Sequence, residues 1–89
     1  MKRIWKYPIP ITDDQIVLAM PKEAKILALQ TQRGAAMIWV LVDPQVAHTD
    51  RFFRVYGTGH DMPDVPGIYV GTWQMLGGAL VFHLFEEEF

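Results

Sequence analysis

The sequence predicts an all-β fold: a small antiparallel sandwich or partly open barrel of six or seven short strands. Three observations carry that expectation. Gly and Pro recur along the chain, at Pro8, Pro10, Pro21, Gly34, Pro44, Gly57, Gly59, Pro63, Pro66, Gly67, Gly77 and Gly78, and leave intervals that suit strands better than helices. The intervals are rich in Ile, Val, Phe, Tyr and Trp, residues that favour a pleated, half-buried surface. Two pairs of intervals are joined by three-residue links containing Gly, the pattern of a hairpin whose turn needs a positive φ.

The elements follow in order. Ile4–Ile9 reads as a first strand, ended by Pro10, which cannot donate to a ladder and fits an edge or a terminus. Thr12-Asp13-Asp14-Gln15 has the spacing of a capping box. Pro21 comes too soon after it for a helix, so a turn leading into a strand over Gln15–Met20 is preferred. Ala24–Thr31 and Ala35–Val42 form a hairpin around Gln32-Arg33-Gly34; Ala24–Gln30 would pass as helix by composition, but its short span and its partner favour strand. Ala35–Val42 is apolar on both faces, which predicts cover on both sides, from the rest of the domain or from another subunit. Asp43–Asp50 reads as a loop opened by the turn former Asp43-Pro44. Arg51–Tyr56 is a strand with aromatics on both faces, left through Gly57-Thr58-Gly59-His60-Asp61 and the loop Met62–Gly67. A second hairpin, Ile68–Met75 and Ala79–Phe85, turns at Leu76-Gly77-Gly78. Strict alternation would set Tyr69, Gly71, Trp73 and Met75 on one face of its first arm and Ile68, Val70, Thr72 and Gln74 on the other. In its second arm Leu80, Phe82 and Leu84 oppose Val81, His83 and Phe85.

At 89 residues the chain is expected to be one domain, residues 1–89. A domain this size buries only about 60–65% of the surface its unfolded chain exposes, so it needs a dense core or an oligomer. The residues are 51% hydrophobic, too apolar for a disordered chain. Cysteine is absent, which excludes disulfides, thiolate metal sites and a Cys nucleophile. Small secreted domains usually carry disulfides, so a reducing compartment, the cytoplasm, is expected. The start Met1-Lys2-Arg3-Ile4-Trp5-Lys6 is basic, but no apolar run of signal-peptide length follows. The longest apolar run, Ala35–Val42, is far short of the ~20 residues of a membrane helix. The net charge of −2 argues against general nucleic-acid binding, which needs a basic excess.

Several segments look familiar as a set: Ile4-Trp5-Lys6-Tyr7, Met20-Pro21-Lys22, Ala24-Lys25-Ile26-Leu27, Trp39-Val40-Leu41-Val42-Asp43-Pro44, Phe53-Arg54-Val55-Tyr56-Gly57-Thr58-Gly59-His60, Tyr69-Val70-Gly71-Thr72-Trp73-Gln74, and the close Gly77-Gly78-Ala79-Leu80-Val81-Phe82-His83-Leu84-Phe85-Glu86. In this order they resemble a family of short uncharacterised proteins from bacteriophages and bacterial genomes, over almost the whole chain. The family pattern has Gly before Ala24, where this chain has Glu23, a departure that bears on the turn after Pro21. The resemblance implies a phage or prophage setting and no particular chemistry.

Gly57-Thr58-Gly59-His60-Asp61 is the most site-like segment. Two glycines let a backbone approach a ligand, and their N–H groups can face an anion; Arg51 and Arg54 lie upstream and suit phosphate. The segment follows a strand without opening a helix, so a dinucleotide-binding reading fails on context, and a plain strand-ending turn is the simpler reading. No pair among His48, His60 and His83 has metal-ligand spacing, so neither metal nor cofactor is expected. His60 is the histidine to test as a ligand contact. Serine and cysteine are both absent, which leaves nucleophilic catalysis poorly supported. The acidic runs Asp13-Asp14 and Glu86-Glu87-Glu88 read as solvated element ends. The abundant Trp and Tyr read first as core and interface mass, with one of them, Trp73, available to stack on a ligand.

Three functions remain open from the sequence. The first is a non-catalytic, phage-type binding protein, oligomeric, that sequesters a small anionic ligand such as a nucleotide immune signal to counter host defence. Its site would be Arg51, Arg54, Thr58, Gly59, His60 and Trp73. The second is a protein–protein interaction module that inhibits a host enzyme or serves as a virion accessory. The third is a small hydrolase.

Overall fold

The alternation of β-branched and aromatic residues produces seven strands, and the computed structural model, which describes residues 1–89, arranges them in two antiparallel sheets. They are β1 (Arg3–Pro8), β2 (Ile16–Pro21), β3 (Lys25–Gln32), β4 (Ala35–Val42), β5 (His48–Gly57), β6 (Ile68–Met75) and β7 (Leu80–Glu86). One sheet has the order β1–β4–β3, the other β2–β5–β7–β6. The sheets stack as a sandwich and do not close into a barrel, so the first of the two expected architectures is the one formed. The only helical element is a 3₁₀ turn over Leu76–Gly78 inside the last hairpin.

Strand β4 explains the stacking. Its alternate residues Ala36, Ile38, Val40 and Val42 are buried, and they face Phe53 of β5, Leu84 of β7 and Trp73 of β6 in one core cluster. Ile16 and Met20 of β2, with Ile9 and Ala24, extend that cluster. Phe53, Ile38, Val40 and Leu84 have no measurable exposure; burying a side chain of this kind contributes about 1.5–3 kcal/mol. The other residues of β4, Ala35, Met37, Trp39 and Leu41, point away from the core. Both faces of this strand are apolar, as the sequence indicates, and only one is covered.

The structure departs from the sequence-based expectation in several places. Strand β3 runs on to Gln32, so the first hairpin turns on two residues, Arg33 (φ 51°) and Gly34 (φ 79°). Two consecutive positive φ values are those of the mirror-image turn whose twist matches paired strands. Strand β5 begins at His48 instead of Arg51, because β2 is long enough to pair Pro21 with His48; this shortens the expected Asp43–Asp50 loop. The preferred turn at Thr12 is present: the Thr12 hydroxyl oxygen accepts the Asp14 N–H at 3.1 Å.

The largest departure is a pair of bulges. The register of β3 slips between Ile26 and Ala28, and that of β6 between Tyr69 and Gly71. A bulge adds one residue and resets the alternation. Tyr69 therefore shares the outer face with Thr72 and Gln74, while Ile68 joins Gly71 and Trp73, opposite to the strict alternation expected. Next to the two bulges the sheet edges come close together. A Cβ on Gly71 would lie 2.8 Å from Leu29 Cβ, so β6 passes β3 only at a residue without a side chain.

Glu23, where the resembling family has Gly, sits in the left-handed region at φ 64°. A non-Gly residue there costs about 1–2 kcal/mol, and Gly loses roughly 0.5–1 kcal/mol more chain entropy on folding. Glu23→Gly is therefore expected to raise stability by about 0.5–1 kcal/mol. Chemical denaturation measures this directly; a lower midpoint would show that the Glu23 side chain contributes more than its backbone strain costs.

Candidate functional site

The segment singled out in the sequence forms a turn strapped to β7. Thr58 N–H donates to Val81 O at 3.0 Å and His60 N–H to Gly57 O at 3.1 Å. The imidazole of His60 folds back over Gly57, where a Cβ would lie 2.8 Å from His60 Nδ1. Beyond Phe53, strand β5 has no β2 partner, and the chain at Ile11–Asp13 borders the resulting gap. This leaves a cleft of about 230 Å³ lined by Arg54, Tyr56, Gly57, His60, Asp13 and Asp61 among others.

Arg54 and His60 thus line one cleft. The charge balance is less basic than the sequence suggests. Arg54 Nε donates to Glu87 Oε2 at 3.2 Å, and its Nη1 donates to Asp13 O at 3.1 Å. Two further carboxylates, Asp13 and Asp61, border the same space.

The other nominated residues lie elsewhere. Arg51 is three positions from Arg54 on a strand, so its side chain leaves the opposite face. It forms a two-pronged ion pair with Glu86, Nε to Oε2 at 2.6 Å and Nη2 to Oε1 at 2.7 Å, and its Nη1 donates to Ala24 O. Trp73 is 4% exposed and belongs to the core between the sheets, so it cannot stack on a ligand at the His60 turn. Thr58 faces His83, and Gly59 (φ 86°) completes the turn.

Sequence reasoning missed a polar chain on the outer face of the four-stranded sheet. Thr58 Oγ lies 2.7 Å from His83 Nε2, His83 Nδ1 lies 2.8 Å from Thr72 Oγ, and Thr72 Oγ lies 2.6 Å from the Tyr69 hydroxyl. The rings of Tyr56 and Tyr69 flank Phe85 edge-on, at 5.8 and 5.5 Å. The signal lay in the hairpin register that sets Thr72 opposite His83, and the expected three-residue turn hid it, because Met75 pairs with Leu80 and the link runs over four residues, 76–79. Chemically, a hydroxyl on a histidine nitrogen is the start of a nucleophile–base pair. The group that orients this histidine is a neutral hydroxyl, and the pair stands exposed on a sheet face rather than in a cleft that excludes water.

The outer face of the three-stranded sheet is different in kind. Ala35, Met37, Trp39 and Leu41 make a central apolar stripe, and Ile4, 58% exposed, extends it beside Leu41. Lys6 on β1 and Lys25, Gln30 and Gln32 on β3 flank the stripe, with Lys6 Nζ donating to Gln32 Oε1 at 2.6 Å. Burial pushes the Tyr7 hydroxyl above its ordinary value of 10.0, against the opposing pull of Arg51.

Fold and surfaces together define a small two-sheet β-sandwich with shallow clefts, no cluster of His, Asp or Glu able to hold a metal ion, and no helix long and apolar enough to cross a membrane. The chain belongs to the family described as domain of unknown function DUF7352, whose model matches residues 1–89. No curated protein and no solved structure matches it.

Proposed function

We propose that the protein is a non-catalytic binding protein that works as a homo-oligomer, with copies meeting across the outer face of the three-stranded sheet. The observation that carries this reading is excess surface. A monomer of 10.2 kDa is expected to expose about 5,300 Å²; this chain exposes 5975 Å². The difference, roughly 700 Å², is close to the ~800 Å² that each partner contributes to a standard interface. The molecule is a slab of 40 × 31 × 17 Å, and half-buried Trp39 stands on the central strand of the outer face of its three-stranded sheet. A Trp on an apolar stripe with polar side chains along its edges has the anatomy of an interface anchor.

Charge decides how two copies face. A two-fold axis running along β4 sets β1 of one copy over β3 of the other. Lys6 then lies over Ala28 of the second copy and Lys25 over Ile4, so no Lys is set directly onto another Lys. Sedimentation at tens of micromolar is the test. The intact protein is expected to run as a dimer and Trp39→Asp as a folded monomer; a monomeric wild-type protein defeats the proposal.

A small anionic ligand is the second reading, supported by Arg54 and His60 lining one cleft. An anionic group there competes with Glu87 for Arg54, so affinity rests on the glycine-turn backbone as much as on charge. In a phage setting, within the cytoplasm of the host, the ligand class would be a nucleotide immune signal and the role its sequestration. Calorimetry against cyclic and linear nucleotides tests this, with His60→Ala expected to abolish the heat.

A further inference from the structure

The two bulges lie where the sheet edges separate. Strands β3 and β6 are the terminal strands of their sheets on the same side of the sandwich. At Leu29 and Gly71 they touch; toward Leu27 and Val70 they part, and a groove of about 380 Å³ opens between them. That volume lies within the ~300–1,000 Å³ range of ligand sites. Seven of its ten lining residues are hydrophobic. Its rim includes Leu27, Ile68 and Tyr69, which are 45%, 51% and 56% exposed.

The polar groups at its base are Arg51 and Glu86. As a pair they carry no net charge, and they leave specific vacant valences. Arg51 directs N–H groups to both Glu86 oxygens, to Ala24 O and to Met20 Sδ, which uses four of its five donors. Each Glu86 oxygen accepts one bond from Arg51 and keeps a free lone pair. The base therefore offers a spare donor beside spare acceptors. An anion entering the groove meets Glu86, and a cation meets Arg51. A neutral amide satisfies both at once. On either side, the outer edges of β3 and β6 present main-chain N–H and C=O groups of the kind that pair with an added strand.

We infer that this groove binds an extended, uncharged, apolar segment of a partner polypeptide, one amide of which faces the Arg51–Glu86 pair. The site does not use the Trp39 face, so either proposal can fail without the other.

The test is an NMR titration of the full chain with acetyl-Val-Phe-Val-amide, against the same peptide with a free C-terminal carboxylate. The blocked peptide is expected to shift the amides of Leu27, Ala28, Ile68 and Val70, and the free acid to bind about tenfold more weakly. Ile68→Asp changes a half-exposed rim residue, so the fold is retained, and it is expected to weaken the blocked peptide about tenfold. Glu86→Gln leaves the Arg51 charge unmatched and reverses the preference toward the free acid. If Glu86→Gln fails to fold, Ile68→Asp and the two peptide arms still decide the matter. Absence of shifts at millimolar peptide, shifts confined to another surface, equal binding of the two peptides, or unchanged binding by Ile68→Asp would each overturn the inference.

Discussion

Phe53→Ala is expected to cost about 3–5 kcal/mol, the range for removing an aromatic ring from a packed core. Phe53 is fully buried. It sits where β5 changes partners, opposite Ile16 of β2 on one side and Glu86 of β7 on the other. Losing the ring therefore opens a cavity under both junctions of the four-stranded sheet, and the neighbouring strands are too firmly paired to collapse into it. Small domains hold roughly 5–15 kcal/mol in total, and this one has only twelve buried residues among 89. The variant should lose most of its stability, read as a fall in the denaturant midpoint with an unchanged slope. A loss below about 1 kcal/mol would mean that the core relaxes around the gap and that the sandwich is not held at this point.

The second large effect belongs to the Arg51–Glu86 pair. Glu86→Leu removes the carboxylate that takes two bonds from Arg51 and leaves the guanidinium against an apolar groove. Breaking a buried pair from one side costs about 3–5 kcal/mol. Here the side chains keep 21% and 16% exposure, so water reaches the stranded charge and about 2–3 kcal/mol is expected. The double variant Arg51→Met/Glu86→Leu is expected to recover about half of that loss or more, since no charge is left unpaired. Recovery should stay incomplete, because Arg51 also ties β5 to the turn after β2 through Ala24 O. Equal losses in single and double variants would show that the two side chains act separately.

Much of the strand pattern was legible in the sequence because it depends on local chemistry. Pro21, Gly34 and the Gly77-Gly78 pair stop strands wherever they occur. The inward set Ala36, Ile38, Val40 and Val42 follows from a period of two. The candidate site was legible only in part. Arg54 and His60 fall together because both lie at the end of β5, a few residues apart. Arg51 and Trp73 fall away for different reasons. Arg51 takes the inner face and meets Glu86, a partner 35 residues distant. Trp73 turns inward and fills the space between the sheets, where the core needs its volume.

The alternation of apolar residues and the placing of Gly and Pro determined by themselves that this chain folds as short antiparallel strands with two close hairpins. Only the tertiary structure decided how the two sheets meet. The bulges at Leu27 and Val70, the groove between them and the ion pair beneath it arise where β3 must pass β6 at Gly71. That contact joins residues more than forty positions apart, and no local propensity encodes it.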